Sequence, residues 1–244
     1  STPTTPTWPK ALLDCKAALQ YLRGNAAALG VDPDRIAAGG DSAGGELSSM
    51  LALTQDWPAF AGRYPDDAFA GVSTKVKAVI PAYAVFNMPA WWRWTKIGYP
   101  TTALEYTSLD ELFGGAPSDV PGAYLEASPL EYVRQGATSL GALALANDGL
   151  DAAWFVTYGL EDPIVPAGDQ SIPFAKALRD AGADVTEVAV PNIGHFWFSK
   201  SALTGRRGMS PSCTIAPGNF VVCPGATPND FIAPRLLEFL ARSL

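Results

Sequence analysis

The chain has 244 residues, 48% of them hydrophobic and 17% charged, and a net charge of −7 at pH 7. This length can fill one large core or two modest ones, and a single core is expected. The acidic balance argues against nucleic acid or an anionic membrane surface as a partner, and no apolar run approaches the ~18 residues of a membrane span.

The start, Ser1-Thr2-Pro3-Thr4-Thr5-Pro6, has neither the basic nor the apolar part of a signal peptide, and a soluble protein is expected. Leu12, Cys15, Leu19, Leu22, Ala26 and Leu29 then recur every three or four residues, which predicts an amphipathic helix from about Pro9 to Leu29 stopped by Gly30. After the turn Asp32-Pro33-Asp34 comes a short small-residue strand from Arg35 to Gly40. It leads into Gly40-Asp41-Ser42-Ala43-Gly44 and a helix with Leu47, Met50, Leu51 and Thr54 on its inner side.

A serine in Gly-x-Ser-x-Gly between a strand and a helix reads as a nucleophile elbow. Its strained backbone requires that the residues two before and two after, Gly40 and Gly44, carry no colliding side chain. The turn lifts the Ser42 hydroxyl clear of the sheet and leaves the Ala43 N–H at a helix start, where an oxyanion would be received. The plainer reading is a Gly-rich turn with a capping serine, which the preceding strand and following helix disfavour.

Lys75 to Val85 carries a nearly continuous apolar run, as a strand buried on both faces of a parallel sheet would. From Phe86 to about Gln135 no period is sustained: Trp91-Trp92-Arg93-Trp94, Pro117, Pro121 and Gly114-Gly115 mark an excursion that reads as a cap. Its tryptophans either line an apolar substrate pocket or fill the cap's own core. Trp91 and Trp92 are therefore candidate substrate-binding residues, together with Asp41 and Phe196 beside the candidate nucleophile and base.

A strand over Ala152 to Thr157 precedes Glu161-Asp162-Pro163, and an apolar helix runs from about Pro166 to Gly182. The strand Asp184 to Val190 ends in Pro191-Asn192-Ile193-Gly194-His195, which contains the only histidine of the chain, and a last helix spans about Asp230 to Leu244. This alternation predicts an α/β protein with a mainly parallel sheet and helices on both faces. Residues 1–85 form the core with the elbow, 86–135 the cap, and 136–244 the core with the acid and histidine loops.

Ser42, Asp162 and His195 each follow a separate strand, in the order Ser…Asp…His. A serine hydroxyl needs an imidazole to take its proton, and the imidazole needs a carboxylate to hold its tautomer. Glu161 competes for the carboxylate role, and Asp162 is preferred because Asp-Pro starts a turn that holds a short side chain in place. Cys15 reads as a buried thiol, whereas Cys213 and Cys223 bracket the loop Thr214 to Val222 and suggest a disulfide. Such a bond implies a secreted protein or another oxidising compartment; the alternative is two unpaired thiols in a cytosolic loop. One histidine and no close Cys-x-x-Cys spacing leave no ligand set for a metal.

Several stretches together resemble the hormone-sensitive-lipase-like branch of the α/β-hydrolase superfamily. They are Leu13-Asp14-Cys15-Lys16-Ala17-Ala18, Asp32-Pro33-Asp34-Arg35-Ile36, Gly39-Gly40-Asp41-Ser42-Ala43-Gly44-Gly45, Glu161-Asp162-Pro163 and Gly194-His195-Phe196. The resemblance implies an esterase or lipase acting on small esters, with no cofactor and with Ser42, Asp162 and His195 as its triad. A serine peptidase of the same superfamily would use the same triad. A ligand-binding module that kept the fold but lost turnover would be expected to lack a triad member.

The family's His-Gly-Gly-Gly oxyanion loop has no counterpart in residues 1 to 41, and the four strands that precede the first helix in that branch are absent too. The elbow strand would then be a bare hydrophobic edge. The expectation is that this chain is the larger C-terminal part of an enzyme, with a separate N-terminal chain or segment completing the sheet and the oxyanion hole.

Overall fold

The computed structural model describes residues 5–60, 64, 66–97, 108–134, 150–200, 214–216, 220–222 and 228–244. Its frame is a sheet of four parallel strands in the order β1 (Ala37–Asp41), β2 (Ala78–Ala82), β3 (Ala153–Gly159) and β4 (Val185–Val190). Register partners include Gly39 with Ile80, Val79 with Trp154 and Thr157 with Val188. Every residue of β2 and β3 is buried, which is why both read as unbroken apolar runs rather than alternating ones.

Successive side chains of a strand point to opposite faces, so the neighbours of Trp154 and Phe155 identify what covers each side of the sheet. Trp154 packs edge-on against Phe174 of α8 (Ser171–Asp180), with ring centroids 5.5 Å apart, and Phe155 lies 5.4 Å from Phe239 of α10 (Pro228–Ser243). Helices thus cover both faces, as expected. The edge strand β1 is different: its five residues are only partly buried, with Gly39 exposed, and it pairs with β2 alone among the described residues.

The N-terminal helix is shorter than the periodicity predicts. It spans α1 (Lys10–Gly24), breaks at Asn25, and is followed by a single turn, α2 (Ala26–Leu29), ended by Gly30 at φ 67°. Leu12, Leu19 and Ala26 of the expected stripe are buried, Cys15 is half-buried and Leu29 is exposed. Lys16 joins the buried face instead. Its Nζ donates to the carbonyls of Thr54 and Gln55 at the end of α3 (Ala43–Thr54) and to Thr74 Oγ1, placing a cation where helix carbonyls lack intrahelical partners.

The aperiodic stretch after Phe86 contains four short helices among the described residues: α4 (Met88–Ile97), α5 (Ser108–Phe113), α6 (Pro121–Glu126) and α7 (Pro129–Val133). Proline opens both α6 and α7, where its missing N–H has no cost, and pieces of five or six residues are too short to print a helical period. Met88, Leu109, Phe113, Tyr124 and Ala127 form a second apolar cluster with Val85 and Val165, separate from the main core. The remaining elements among the described residues are a 3₁₀ turn (Pro58–Phe60), α9 (Trp197–Lys200) and an antiparallel pair, β5 (Thr214–Ala216) and β6 (Phe220–Val222), inside the stretch read as a loop. Among the described residues no helix is long and apolar enough to cross a membrane.

Candidate active site

The elbow forms because three backbone segments converge where side chains have no room. Ser42 has φ 53° and ψ −118°, and its N–H donates to Ala82 O at 2.9 Å, tying the turn to the end of β2. A Cβ on Gly40 would sit 2.5 Å from the Gly44 carbonyl carbon, and one on Gly45 would sit 2.6 Å from Ala84 Cβ. A Cβ on Gly44 would meet nothing within 4 Å among the described residues, which corrects the expectation that Gly44 is required for lack of space. It is Gly44's backbone, not its missing side chain, that presses on Gly40; the second crowded glycine is Gly45. Ala43 is the first residue of α3, so its N–H has no intrahelical acceptor.

On the other flank, β3 ends at Gly159, where a Cβ would lie 2.2 Å from Ile193 O. The missing side chain lets the loop after β4 cross directly over the acid loop, and Glu161 N–H donates to that same Ile193 carbonyl at 3.1 Å. Asp162 is thereby turned inward, whereas Glu161 is exposed. Asp162 Oδ1 accepts the N–H groups of Ile164 and Val165, both at 2.9 Å, and Oδ2 lies 2.6 Å from His195 Nδ1. His195 Nε2 is 2.9 Å from Ser42 Oγ, and the imidazole is 2% exposed. With the proton on Nδ1 donated to Asp162, the Nε2 lone pair faces the serine hydroxyl. Ser42, Asp162 and His195, expected from their order in the chain, are brought into one hydrogen-bonded line.

Tyr83 is a participant that the sequence reading missed. It sits one residue past β2 at φ 38°, with its ring 4.6 Å from the His195 ring and 5.5 Å from Trp197. Its Oη donates to Asp41 Oδ2 at 2.9 Å and accepts the Phe198 N–H at 3.2 Å, linking the elbow to the histidine loop. Its place at the same sheet edge as the candidate triad was the available signal.

Ser42 opens onto a cavity of about 670 Å³, lined by Ala43, Glu46, Val85, Met88 and Trp91 among others. Of the four expected substrate-binding residues only Trp91 lines it; its indole N–H is anchored to Ile164 O at 3.0 Å. Trp92 instead donates to Asp110 Oδ1 at 2.7 Å and packs on the second cluster. Asp41 is engaged by Tyr83, and Phe196 is 39% exposed with its ring 4.4 Å from that of His195. Glu46 was not singled out from the sequence at all. The only signal was a carboxyl one turn beyond Ser42 in an otherwise apolar and small-residue helix. Cys213 and Cys223 lie outside the described residues, and no group of three or more His, Cys, Asp or Glu among the described residues is placed to hold a metal ion.

Comparison with known proteins agrees with this geometry. Esterase LipQ of Mycobacterium tuberculosis is 33% identical over 190 residues, covering 78% of this chain and 39% of that protein. The probable carboxylic ester hydrolase LipM of the same organism is 30% identical over 174 residues, covering 71% of this chain and 34% of that one. The chain therefore spans about two fifths or less of these relatives' length. Among solved structures, a truncated carbohydrate esterase from gut microbiota superposes with a TM-score of 0.58 at 26% identity, over 77% of this chain and 62% of that one. The BD-FAE family model matches residues 2–178. With the parallel sheet and the elbow in place, the chain belongs to the BD-FAE family, within the hormone-sensitive-lipase-like branch of the α/β-hydrolases.

Proposed function

We propose that this chain is the catalytic part of a serine hydrolase that cleaves small carboxylic esters through an acyl-enzyme. Ser42 Oγ attacks the ester carbonyl carbon as its proton passes to His195 Nε2, and Asp162 stabilises the imidazolium through Nδ1. The Ala43 N–H donates to the resulting oxyanion. Collapse expels the alcohol, which takes the proton from His195, and a water activated by the same imidazole then releases the acid. The observation that carries this reading is the unbroken line from Asp162 Oδ2 through both ring nitrogens of His195 to Ser42 Oγ, at 2.6 and 2.9 Å. Relatives named as esterases support it. A fluorophosphonate is expected to leave one adduct, on Ser42, and none on Ser42→Ala. An adduct elsewhere, or one that persists in the variant, refutes the assignment.

The same proposal includes an upstream segment that lies beside β1 and supplies further oxyanion N–H groups. Its support is the half-buried β1 edge next to a fully buried β2. Removing one oxyanion donor typically costs about 10²–10³ in rate. The chain with its upstream segment should exceed the 244-residue chain by that factor on a small aryl ester, and in soluble yield as well. Equal activity and yield would show that the second donor comes from within these residues.

A Cys213–Cys223 disulfide, and with it an oxidising compartment, completes the proposal. Its support is that neighbouring Thr214 and Val222 are register partners of β5 and β6. Alkylation of the unfolded, unreduced protein should label Cys15 alone; labelling of all three cysteines counts against the bond.

A further inference from the structure

The loop that carries Asp162 is held from the cap. On α4 the indole N–H of Trp91 donates to Ile164 O and that of Trp94 to Pro163 O, both at 3.0 Å. Residues three apart share one face of a helix, so this pair takes two consecutive carbonyls of one loop. The N–H groups of the same two peptide units, those of Ile164 and Val165, donate to Asp162 Oδ1 at 2.9 Å. A trans peptide is planar, with its C=O and N–H pointing opposite ways. Each unit therefore lies in a line that runs from an indole N–H, through the peptide, to the carboxylate. An indole held on one side fixes the tilt of the plane, and with it the direction of the N–H on the other.

The start of α4 is tied to the same stretch. Gln170, fully buried, accepts the N–H groups of Phe86 and Asn87 at 2.8 Å through Oε1 and donates to Asn87 O at 3.1 Å through Nε2. The helix and the acid loop are thus joined by side chains from both partners. We propose that Trp91 and Trp94 are positioning residues, through which the cap helix aims the two N–H groups that hold Asp162 against His195. The inference rests on the Ser42, His195 and Asp162 reading of the site.

The test uses Trp94→Phe, Trp91→Phe and Trp92→Phe in the enzyme with its upstream segment. Each removes an indole N–H from α4, but that of Trp92 goes to Asp110 of α5, away from the acid loop. Turnover is measured on a short and a longer acyl aryl ester, and the resting protein is followed by proton NMR. Trp94→Phe should lower kcat about tenfold, by the same factor on both esters and with little change in KM, because Asp162 serves the imidazole whichever ester is bound. The far-downfield resonance of His195 Nδ1–H, identified by its loss in Asp162→Asn, should move upfield and broaden. Trp91→Phe should act likewise and, since Trp91 also lines the cavity, change KM unequally for the two esters. Trp92→Phe should keep the wild-type kcat and resonance. An unmoved resonance in Trp94→Phe overturns the proposal. So does an equal loss in Trp92→Phe, which would make the three indoles general supports of the cap. If Trp94→Phe fails to fold, Trp94→Tyr serves in its place, and Trp91→Phe carries the same resonance test. Absence of turnover and of a fluorophosphonate adduct in the wild type would instead remove the hydrolase reading, whereas the resonance tests the clamp without turnover.

Discussion

Asp162 and Glu46 reach the Ser42 site from opposite flanks and are buried alike, at 6% and 5% exposure. On the histidine-loop side, Asp162 accepts two backbone N–H groups and the imidazole. On the α3 side, Glu46 Oε1 has no hydrogen-bond partner among the described residues, and desolvation raises the carboxyl's pKa. At equal burial the two carboxyls thus differ in their hydrogen-bond partners, and partners as well as depth decide what a carboxyl does. The flank rich in loop N–H groups holds a carboxyl that fixes the imidazole, and the flank built from apolar side chains holds one with an unpartnered oxygen among the described residues.

The largest effect expected from breaking this contrast is at Asp162. Asp162→Asn keeps the shape but presents an amide to His195 Nδ1, which favours the wrong tautomer, and kcat should fall by about 10⁴ with little change in KM. A loss below tenfold, measured on a small aryl ester, would mean that Asp162 only braces the loop.

Lys16 sharpens the comparison, since it is buried like the two carboxyls and has several acceptors, yet burial outweighs the pull of Asp56 and lowers its pKa to about 8. Below about pH 8 both folded and unfolded chains hold this proton. Between about 8 and the ordinary 10.5 only the unfolded chain does, so stability rises with pH across that window. Relative to Lys16→Met, the wild type should gain roughly 2–3 kcal/mol between pH 7.5 and 10.5 in urea unfolding. A difference that stays constant with pH would show that hydrogen bonding, not desolvation, governs this lysine.

The smallest effect is at Tyr83. Tyr83→Phe keeps the ring against His195 and removes the link between Asp41 and the Phe198 N–H. Turnover should drop about tenfold through looser placement of the imidazole, again in kcat more than in KM. An unchanged kcat with a lowered melting temperature would make the link purely structural.

The alternation of strands and helices, the elbow and the order Ser42, Asp162, His195 were all legible in the chain, because each is written by neighbours in sequence. Unbroken apolar runs, the period of 3.6, glycine sterics at a turn and the punctuation by Gly30 and Asp32-Pro33 act over a few residues. The esterase-like resemblance drew on the same short stretches. Helix ends moved by a few residues, and the break at Asn25 went unseen because both sides of it continue the apolar pattern.

What only tertiary structure decided concerns groups whose partners lie far along the chain. Asp162 was separated from Glu161 by the crossing of Ile193 over Gly159, and Tyr83 gained its role from Asp41 and Phe198, 42 and 115 residues away. Trp91 and Trp92 are adjacent and chemically identical, yet one faces the cavity and the other Asp110, because successive helix positions point about 100° apart. Local sequence sets which backbone forms; burial and hydrogen-bond partners depend on packing between distant segments, and no pattern within a short window records them.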